Sequence, residues 1–304
     1  VGLVGSEMCI RDRRHFENTA ASAMAHFCSG RSSLATILCY HNIVSNAPRS
    51  QLDADSVTVE EFEKQMLFLR QNNFNVVSLE YLEKKLTKAQ KLQEKLVVIT
   101  FDDGYKSMFT NALAILKKYA FPAVIYLAVD YIGKSTPFPW LCSSSGSSKR
   151  GDALAVNWHN VQELHQAGVE IGSHTCSHRF LPALSNADIE NEVLESAHIL
   201  NSRLEKAIRT FALPFSFPVC HRAWPKFQSV LFRSLEKGGY KSCCTSIRGH
   251  VDSSSSPFML ERIFIDKYDT LKSFDAKLAG AYSWTRFPQS IYQRMFKNYD
   301  KAKF

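Results

Sequence analysis

Residues 96–105, LVVITFDDGY, decide the fold of this chain. Six residues that are all apolar or β-branched, 96–101, are followed directly by two acids, Asp102 and Asp103, and then by Gly104. A short run of this kind predicts a β-strand that is buried on both faces, as in a parallel sheet. The two carboxylates are therefore placed at the C-terminal end of a buried strand.

Similar short apolar runs recur along the chain and alternate with amphipathic segments. The other candidate strands are residues 36–40, 75–78, 123–128, 169–172, 210–213, 241–245 and 260–265. The clearest helices are residues 59–70, 108–119 and 187–204, the last of which follows Ser185-Asn186 as a candidate N-cap. Alternating strands and helices predict a parallel sheet or barrel. Eight candidate strands favour a closed barrel over an open sheet.

Three segments depart from this alternation. Residues 135–156 contain prolines and the run SSSGSSKRGD, and they predict an insertion on the barrel rim, either a loop on the substrate side or an excursion without a role. Residues 1–14, VGLVGSEMCIRDRR, resemble a translated sequencing adapter and are set apart as a non-native segment. We expect the folded domain over residues 34–290 and a basic tail over 291–304.

The acids after the first quoted strand are suited to chemistry at a barrel mouth. Neighbouring residues at a strand end point in different directions, so one carboxylate can bind a metal ion while the other stays free as a base. The structural alternative is a turn whose acids only cap the next helix. Barrel enzymes place their sites at the C-terminal ends of their strands, which favours the catalytic interpretation.

A histidine pair follows another predicted strand. His174 and His178 lie within residues 172–178, GSHTCSH, and their i, i+4 spacing allows both rings to converge on one metal ion. Two histidines and one carboxylate leave coordination positions open, as a catalytic metal site requires. Seen alone, the pair would more often be two surface histidines beside Arg179. Cys176 lies between them and is expected to point away from the metal.

The motifs together are more specific than either one alone. Residues 100–105 (TFDDGY), 172–178 (GSHTCSH) and 211–214 (FALP) stand in the order of the polysaccharide deacetylase (NodB-like) family motifs, and the chain resembles that family from about residue 34 to residue 284. The resemblance implies a distorted (β/α) barrel of seven or eight strands. It implies a hydrolase that removes N-acetyl or related acyl groups from amino sugars of a polysaccharide or glycolipid. It also implies one divalent metal ion, zinc or else cobalt, nickel or manganese.

Carried over residue by residue, the resemblance assigns roles to the polar motifs. Asp102 matches the catalytic base, and Asp103, His174 and His178 match the metal ligands. A backbone N–H near Tyr105 is expected to help hold the oxyanion.

The general acid is assigned from a second motif. Some family members carry it as a histidine in a late Leu-x-His motif, but here that segment reads Leu260-Glu261-Arg262. The early Cys39-Tyr40-His41-Asn42 resembles the Tyr-His motif of the branch that includes the poly-N-acetylglucosamine deacetylases, so His41 is the predicted acid. A buried structural histidine is the alternative, and His221 and His250 are weaker candidates.

Substrate contacts are predicted at Tyr105, Pro214, Phe215 and Arg262. The family pattern Phe-Ala-Tyr-Pro-Tyr-Gly reads FALPFS at residues 211–216, so Leu213 replaces a tyrosine and Ser216 a glycine. This departure bears on substrate preference rather than on the metal site. Arg209 and Arg262 are candidate partners that would keep Asp102 ionised, and an ordinary surface arginine is the alternative for either. Trp140, Trp158 and Trp224 could stack on sugars, although such residues more often belong to a core.

Composition limits the partners. The formal net charge is +8, but the Lys and Arg residues are scattered, so no nucleic-acid partner is expected. The family resemblance implies an N-acetylated glycan as substrate. No apolar run approaches the roughly 20 residues of a membrane helix, and a monomer is expected. The eight cysteines form no Cys-x-x-Cys pair, which argues against a thiolate zinc cluster and suggests free thiols. A cytoplasmic location is slightly favoured on that ground, with periplasmic or secreted locations open.

Two other functions fit parts of the pattern. An iron oxygenase uses the same set of two histidines and one carboxylate, although the α/β alternation argues against it. A non-catalytic carbohydrate-binding relic of the same fold would explain the substitutions at Leu213 and Ser216. The intact Asp102 and Asp103 count against the relic, because a binding module needs no open metal site.

Overall fold

The computed structural model describes residues 34–45, 47–92, 95–141, 153–215 and 224–281. The predicted adapter segment 1–14, the predicted tail 291–304, residues 142–152 of the predicted insertion, Ser216 and His221 lie outside the described residues. Within the described residues, no helix combines the length and the apolar character that a bilayer-spanning segment needs.

Ten strands are present in the described chain. They are β1 Ala35–Tyr40, β2 Asn42–Val44, β3 Ser56–Thr58, β4 Asn75–Val76, β5 Leu96–Phe101, β6 Val124–Leu127, β7 Glu170–Ser173, β8 Thr210–Ala212, β9 Ser242–Arg248 and β10 Leu260–Phe264. Each of the eight predicted strands overlaps one of them. The two strands that were not predicted, β2 and β3, form a separate parallel pair.

Seven of these strands close a parallel barrel in the order β1, β10, β9, β8, β7, β6, β5. Six residue pairs between β1 and β5, from Ala35–Leu96 to Tyr40–Phe101, complete the ring. The predicted (β/α) barrel is therefore confirmed, with seven strands in the ring. The remaining predicted strand, residues 75–78, corresponds to β4. It pairs only with the first two residues of β5 and lies beside the barrel.

Helices flank the barrel. They are α1 Val59–Gln71, α2 Leu79–Thr87, α3 Leu113–Tyr119, α4 Trp158–Gln166, α5 Asn186–Leu204, α6 Trp224–Lys237 and α7 Leu271–Leu278, with a π-helical turn at Met108–Ala112 leading into α3. The predicted cap of α5 is Ser185, whose hydroxyl accepts the Asp188 N–H at 3.2 Å. Helix α1 buries Phe62, Met66 and Leu69, whereas Leu67 is 40% exposed.

Successive side chains along each strand point to opposite faces of the barrel wall, and this alternation creates two apolar layers. One set of strand residues, including Leu38, Ile99 and Ile125, packs in a large cluster with apolar residues of the helices. The other set, including Ile37, Val98 and Tyr126, forms a second cluster that also contains Leu79, Leu82 and Leu86 of α2. The barrel interior is therefore a packed core rather than a channel, as is usual for such barrels.

Gly172 on β7 is required by this interior packing. A Cβ atom at this position would lie 2.5 Å from the Tyr126 ring and 2.8 Å from Thr210 Cγ2. The Tyr126 hydroxyl in turn lies 2.8 Å from Thr210 Oγ1. A side chain at position 172 would displace this buried tyrosine directly beneath the histidine-bearing loop.

An acidic group lies where β7 begins. Burial, together with the nearby carboxylates of Glu83 and Glu80, raises the pKa of Glu170 from 4.5 to about 7. Arg209, at the start of β8, forms an ion pair with Glu83 here. The suggestion that Arg209 pairs with Asp102 is therefore wrong, because Arg209 and Asp102 lie at opposite ends of the strands.

We expect Glu170→Gln to stabilise the protein at alkaline pH. A carboxyl whose pKa is raised in the folded state costs stability as pH rises from about 4.5 to about 7, and the cost levels off above that range. At 1.36 kcal/mol per pKa unit, the free energy of unfolding should increase by up to about 3 kcal/mol at pH 8, with the gain vanishing below pH 5. Urea unfolding at several pH values measures this, with the exposed Glu195→Gln as control. A gain independent of pH would contradict the assignment.

Candidate active site

The two acids occupy the C-terminal end of β5. The Asp102 N–H donates to the Tyr40 carbonyl at 2.9 Å, which continues the β1–β5 pairing one residue beyond the strand. The chain then turns sharply, because Asp103 has φ 69° and Gly104 has φ 84°. A Cβ atom at Gly104 would approach Leu127 Cδ2 to 2.9 Å, so both conformation and space favour glycine at this position.

The histidines lie in the loop that follows β7. The His174 N–H donates to the Leu127 carbonyl at 2.9 Å. Thr175 and His178 have φ values of 69° and 56°, in the left-handed region that non-glycine residues seldom occupy. Such conformations are typical of functional sites, where neighbouring groups hold the backbone in place.

Asp103, His174 and His178 converge on one another. Asp103 Oδ1 lies 3.4 Å from His174 Nε2 and 3.1 Å from His178 Nε2, and one potential ligand atom from each residue lies within 4.8 Å of the others. Asp103 is 5% exposed and His174 is 2% exposed. The predicted ligands are thus brought together in a nearly closed environment.

Electrostatics keep the carboxylate of this group ionised. Burial acts to raise the pKa of Asp103, but the neighbouring His178 and His174 outweigh it and hold the pKa well below its usual range. Burial lowers the pKa of His178. For His174, burial also acts to lower the pKa, but Asp102 and Asp103 raise it overall.

The donor set fits a divalent metal ion. His174 Nδ1 lies 2.8 Å from the Ala212 carbonyl, which can only accept a hydrogen bond, so the Nε2 of a neutral ring carries a lone pair. That lone pair faces a carboxylate oxygen, and buried Asp103 Oδ1 makes no hydrogen bond among the described residues. A cation between these atoms would relieve the repulsion between the His174 Nε2 lone pair and the Asp103 carboxylate oxygen. Two imidazoles and one carboxylate suit zinc or a related first-row ion.

Asp102 is held by a buried arginine. Arg262 Nη1 and Nη2 donate to the two Asp102 oxygens at 2.7 Å each, and Arg262 Nε donates to the Thr245 carbonyl at 2.9 Å. Burial acts to raise the pKa of Asp102, but Arg262 and His174 lower it to about 2. Asp102 Oδ2 also lies 3.9 Å from His174 Nε2, so this carboxylate borders the predicted metal position.

His41 lies at the same end of the barrel. Its ring stacks beside Phe264 with a centroid distance of 6.2 Å. Cys39, His41 and Asp102 each offer one atom within 4.8 Å of the other two. His41 Nδ1 is buried without a hydrogen-bond partner among the described residues. The histidine predicted as the acid is therefore adjacent to the residue predicted as the base.

The Cys39–His41–Asp102 group is a poorer metal site than the Asp103 group. Both Asp102 oxygens already accept hydrogen bonds from Arg262, whose positive charge would repel a cation. Burial raises the pKa of the Cys39 thiol well above its usual value, whereas metals bind the thiolate. The four described cysteines, Cys39, Cys176, Cys243 and Cys244, are all free.

Aromatic side chains surround His178. The Trp140 ring stacks on the His178 ring with a centroid distance of 4.3 Å and an interplanar angle of 29°. Phe215 lies 4.8 Å from the same ring and is 36% exposed. The Trp140 Nε1–H donates to the Tyr105 hydroxyl at 3.2 Å. Trp140 belongs to the first part of the predicted insertion, so this part of the insertion lies at the site.

Several predicted substrate contacts require correction. Arg262 is 0% exposed and its guanidinium is fully engaged with Asp102 and Thr245, so it cannot contact a substrate. Tyr105 is 4% exposed and its hydroxyl is bonded to Trp140, which leaves its backbone as the group that could act. Pro214 is buried, and Phe215 is the predicted contact that reaches the surface.

The remaining aromatic and polar candidates lie away from the ligands. Trp158 faces Arg203, with the guanidinium 5.1 Å from its ring, and Trp224 is 7% exposed in the core around α6. His250 Nε2 lies 3.0 Å from the Lys277 carbonyl and belongs to neither group of potential metal ligands among the described residues. Sequence reasoning did not anticipate that Trp140 packs on a metal-ligand candidate. Trp140 follows two prolines and precedes a Ser/Gly-rich run, and neither feature of the sequence indicates a contact with His178.

Residues 89–220 match the family model described as polysaccharide deacetylase. This match confirms the resemblance to the polysaccharide deacetylase family that was drawn from the sequence motifs. YxkH of Bacillus subtilis, a protein placed by name with the polysaccharide deacetylases, is 26% identical over 227 residues, which are 75% of this chain and 70% of that protein.

Other relatives are named as N-deacetylases. The poly-β-1,6-N-acetyl-D-glucosamine N-deacetylase of Staphylococcus epidermidis is 26% identical over 218 residues, 71% of this chain and 71% of that protein. The enzyme of the same name from Escherichia coli K12 is 30% identical over 142 residues, 45% of this chain but only 20% of that protein. These relatives confirm the predicted class of enzyme.

Solved structures share the fold. The de-N-acetylase from Aggregatibacter actinomycetemcomitans has a TM-score of 0.64 at 20% identity, covering 79% of this chain and 99% of that one. The deacetylase PplD of Streptococcus pyogenes has a TM-score of 0.63 at 20% identity, covering 85% and 98%. At this identity the likeness supports the barrel alone.

Proposed function

We propose that this protein is a metal-dependent hydrolase that removes N-acetyl groups from amino sugars of a polysaccharide or glycolipid. The observation that carries the proposal is the convergence of Asp103, His174 and His178 beside a second, ionised carboxylate, Asp102. The relatives named as poly-β-1,6-N-acetyl-D-glucosamine N-deacetylases make a poly-N-acetylglucosamine chain the first substrate to test.

Asp103, His174 and His178 would hold the metal ion. A divalent ion bound there supplies Lewis acidity, which lowers the pKa of a bound water and polarises the amide carbonyl. Asp102 accepts the proton of the attacking water, because the Arg262 pair keeps its carboxylate ionised and fixes its orientation. The backbone N–H near Tyr105 donates to the oxygen that becomes negative.

His41 donates a proton to the nitrogen of the departing amine. This role is supported by a potential ligand atom of His41 that lies within 4.8 Å of one of Asp102. It is also supported by the ring nitrogen Nδ1, which has no hydrogen-bond partner among the described residues. Breaking the C–N bond then releases acetate and a free amino sugar. Because His41 is only partly buried, it can meet a substrate that enters from the solvent.

The acyl sugar is expected to lie against the aromatic side of the site. Phe215 is partly exposed beside His178, and the Trp140 ring stacks on the ring of the same histidine. Aromatic faces commonly stack against the apolar faces of sugar rings, and here they would position the amide over the metal ligands.

Acetate release from N-acetylglucosamine oligomers tests the proposal. The protein is stripped with chelator, assayed, and assayed again after zinc or cobalt is added. We expect release to fall at least about 100-fold without metal and to return on reloading. A wild-type protein that binds no divalent ion would refute the metal-dependent reaction. Tight metal binding without release from this substrate or from a wider glycan panel would favour the relic interpretation.

A further inference from the structure

The backbone N–H groups of the loop from Thr175 to His178 donate to side chains, while the Thr175 and Cys176 carbonyls accept the Val129 and Asp130 N–H groups at 3.1 and 2.9 Å. The Thr175 N–H donates to Ser173 Oγ at 3.2 Å, and the His178 N–H donates to Thr175 Oγ1 at 2.9 Å. The two N–H groups between them, of Cys176 and Ser177, donate to Glu192 Oε2 at 3.0 and 2.9 Å. Glu192 is therefore the acceptor that a different element, α5, contributes to this loop.

Glu192 is placed for this contact by the packing of α5. It is 6% exposed, and its other oxygen, Oε1, accepts the Ser177 hydroxyl and lies 3.6 Å from Arg179 Nε. Ser196, four residues later on the same helix, accepts the Ser173 hydroxyl at 2.7 Å. Residues at i and i+4 share one face of a helix. One face of α5 thus holds both the start and the middle of the histidine loop.

The two histidines differ in how their rings are oriented. The His174 ring is fixed by its contact with the Ala212 carbonyl. His178 Nδ1, in contrast, has no hydrogen-bond partner among the described residues, and its ring is bordered by Trp140 and Phe215. The direction of its Nε2 therefore depends on the backbone that carries it, which adopts left-handed φ values at Thr175 and at His178 itself.

We propose that Glu192 is a positioning residue for the metal site, acting through the Cys176 and Ser177 N–H groups to hold His178 in line with Asp103 and His174. The inference rests on the proposed metal-dependent function, but it concerns metal affinity rather than turnover. Groups behind the direct ligands commonly change metal affinity by about 10- to 100-fold when they are lost.

Two substitutions at Glu192 separate hydrogen bonding from charge. Glu192→Ala removes the acceptor for both N–H groups, and we expect the Co²⁺ dissociation constant to rise about 10- to 100-fold. The same variant should alter the ligand-field absorption bands of bound Co²⁺, because His178 loses its fixed direction. Glu192→Gln retains an amide oxygen for both N–H groups, so its affinity and spectrum should stay within about threefold of wild type.

Cobalt titration of the apoprotein, read by absorption and by calorimetry, tests the inference. Glu195→Ala is the matched control, since Glu195 is exposed one turn further along α5. If Glu192→Ala does not fold, Ser177→Ala removes the Oε1 contact alone and should weaken cobalt binding by a smaller factor. Wild-type affinity and spectrum in a folded Glu192→Ala protein, or in Ser177→Ala where Glu192→Ala does not fold, would overturn the role of Glu192. Failure of the wild-type protein to bind cobalt would instead count against the proposed function.

Discussion

Asp102→Asn is expected to reduce acetate release by about 10²- to 10⁴-fold, the usual contribution of a general base. Asparagine has nearly the same shape but no basic oxygen, so the proton of the attacking water loses its acceptor. Asp102 lies beside the predicted ligands without belonging to the group of three that converge. Among the described residues Asp102 makes no side-chain hydrogen bond to a predicted ligand, so the cobalt dissociation constant should rise by less than the roughly 10-fold expected when such a hydrogen bond is lost.

The measurement is the rate of acetate release by the cobalt-loaded variant from N-acetylglucosamine oligomers. Asp275→Asn, an exposed change of the same kind on α7, serves as the matched control and should leave the rate unchanged. A rate reduced by less than about threefold would show that the base lies elsewhere. Loss of cobalt binding together with activity would assign Asp102 to the metal ligands instead.

The alternation of strands and the two polar motifs could be predicted because each depends on local sequence. LVVITF is long and apolar enough to identify β5, and the same pattern identifies the other strands of the ring. Asp102 and His174 follow their strands directly, so the barrel geometry alone brings their loops to one end. By contrast, β2 and β3 have three residues each, including polar ones, and carry no period that could identify them.

Contacts between distant elements were predicted less well. A sequence offers no means of deciding whether Arg209 or Arg262 meets Asp102, because both lie near strands. The difference is one of direction: Arg209 precedes β8, at the end of the barrel that holds Glu83, whereas Arg262 lies within β10 with its side chain in the interior. Glu192 lies within the predicted helix 187–204, but nothing in the local sequence indicates that it reaches the loop of Cys176 and Ser177.

The ion pair of Asp102 and Arg262 also bears on stability, independently of any reaction. Arg262 is the largest of the fully buried side chains and lies 2.7 Å from both carboxylate oxygens, so each charge depends on the other for compensation. Arg262→Met preserves length and apolar volume but leaves Asp102 buried without its cation. We expect the free energy of unfolding to fall by about 3–5 kcal/mol, the usual cost of breaking a buried pair from one side.

Combining Arg262→Met with Asp102→Asn should restore much of that loss, because no uncompensated charge then remains in the interior. Replacing both partners of a buried pair is often close to neutral, so the double variant should lie within about 2 kcal/mol of wild type. Urea unfolding of the two single variants and the double variant measures this coupling, with the exposed Lys118→Met as a control that should show no resolvable change. If the two losses simply add, Asp102 and Arg262 do not compensate each other. In that case Arg262 would stabilise the barrel through its contact with Thr245 and its packing on Tyr126 rather than through Asp102.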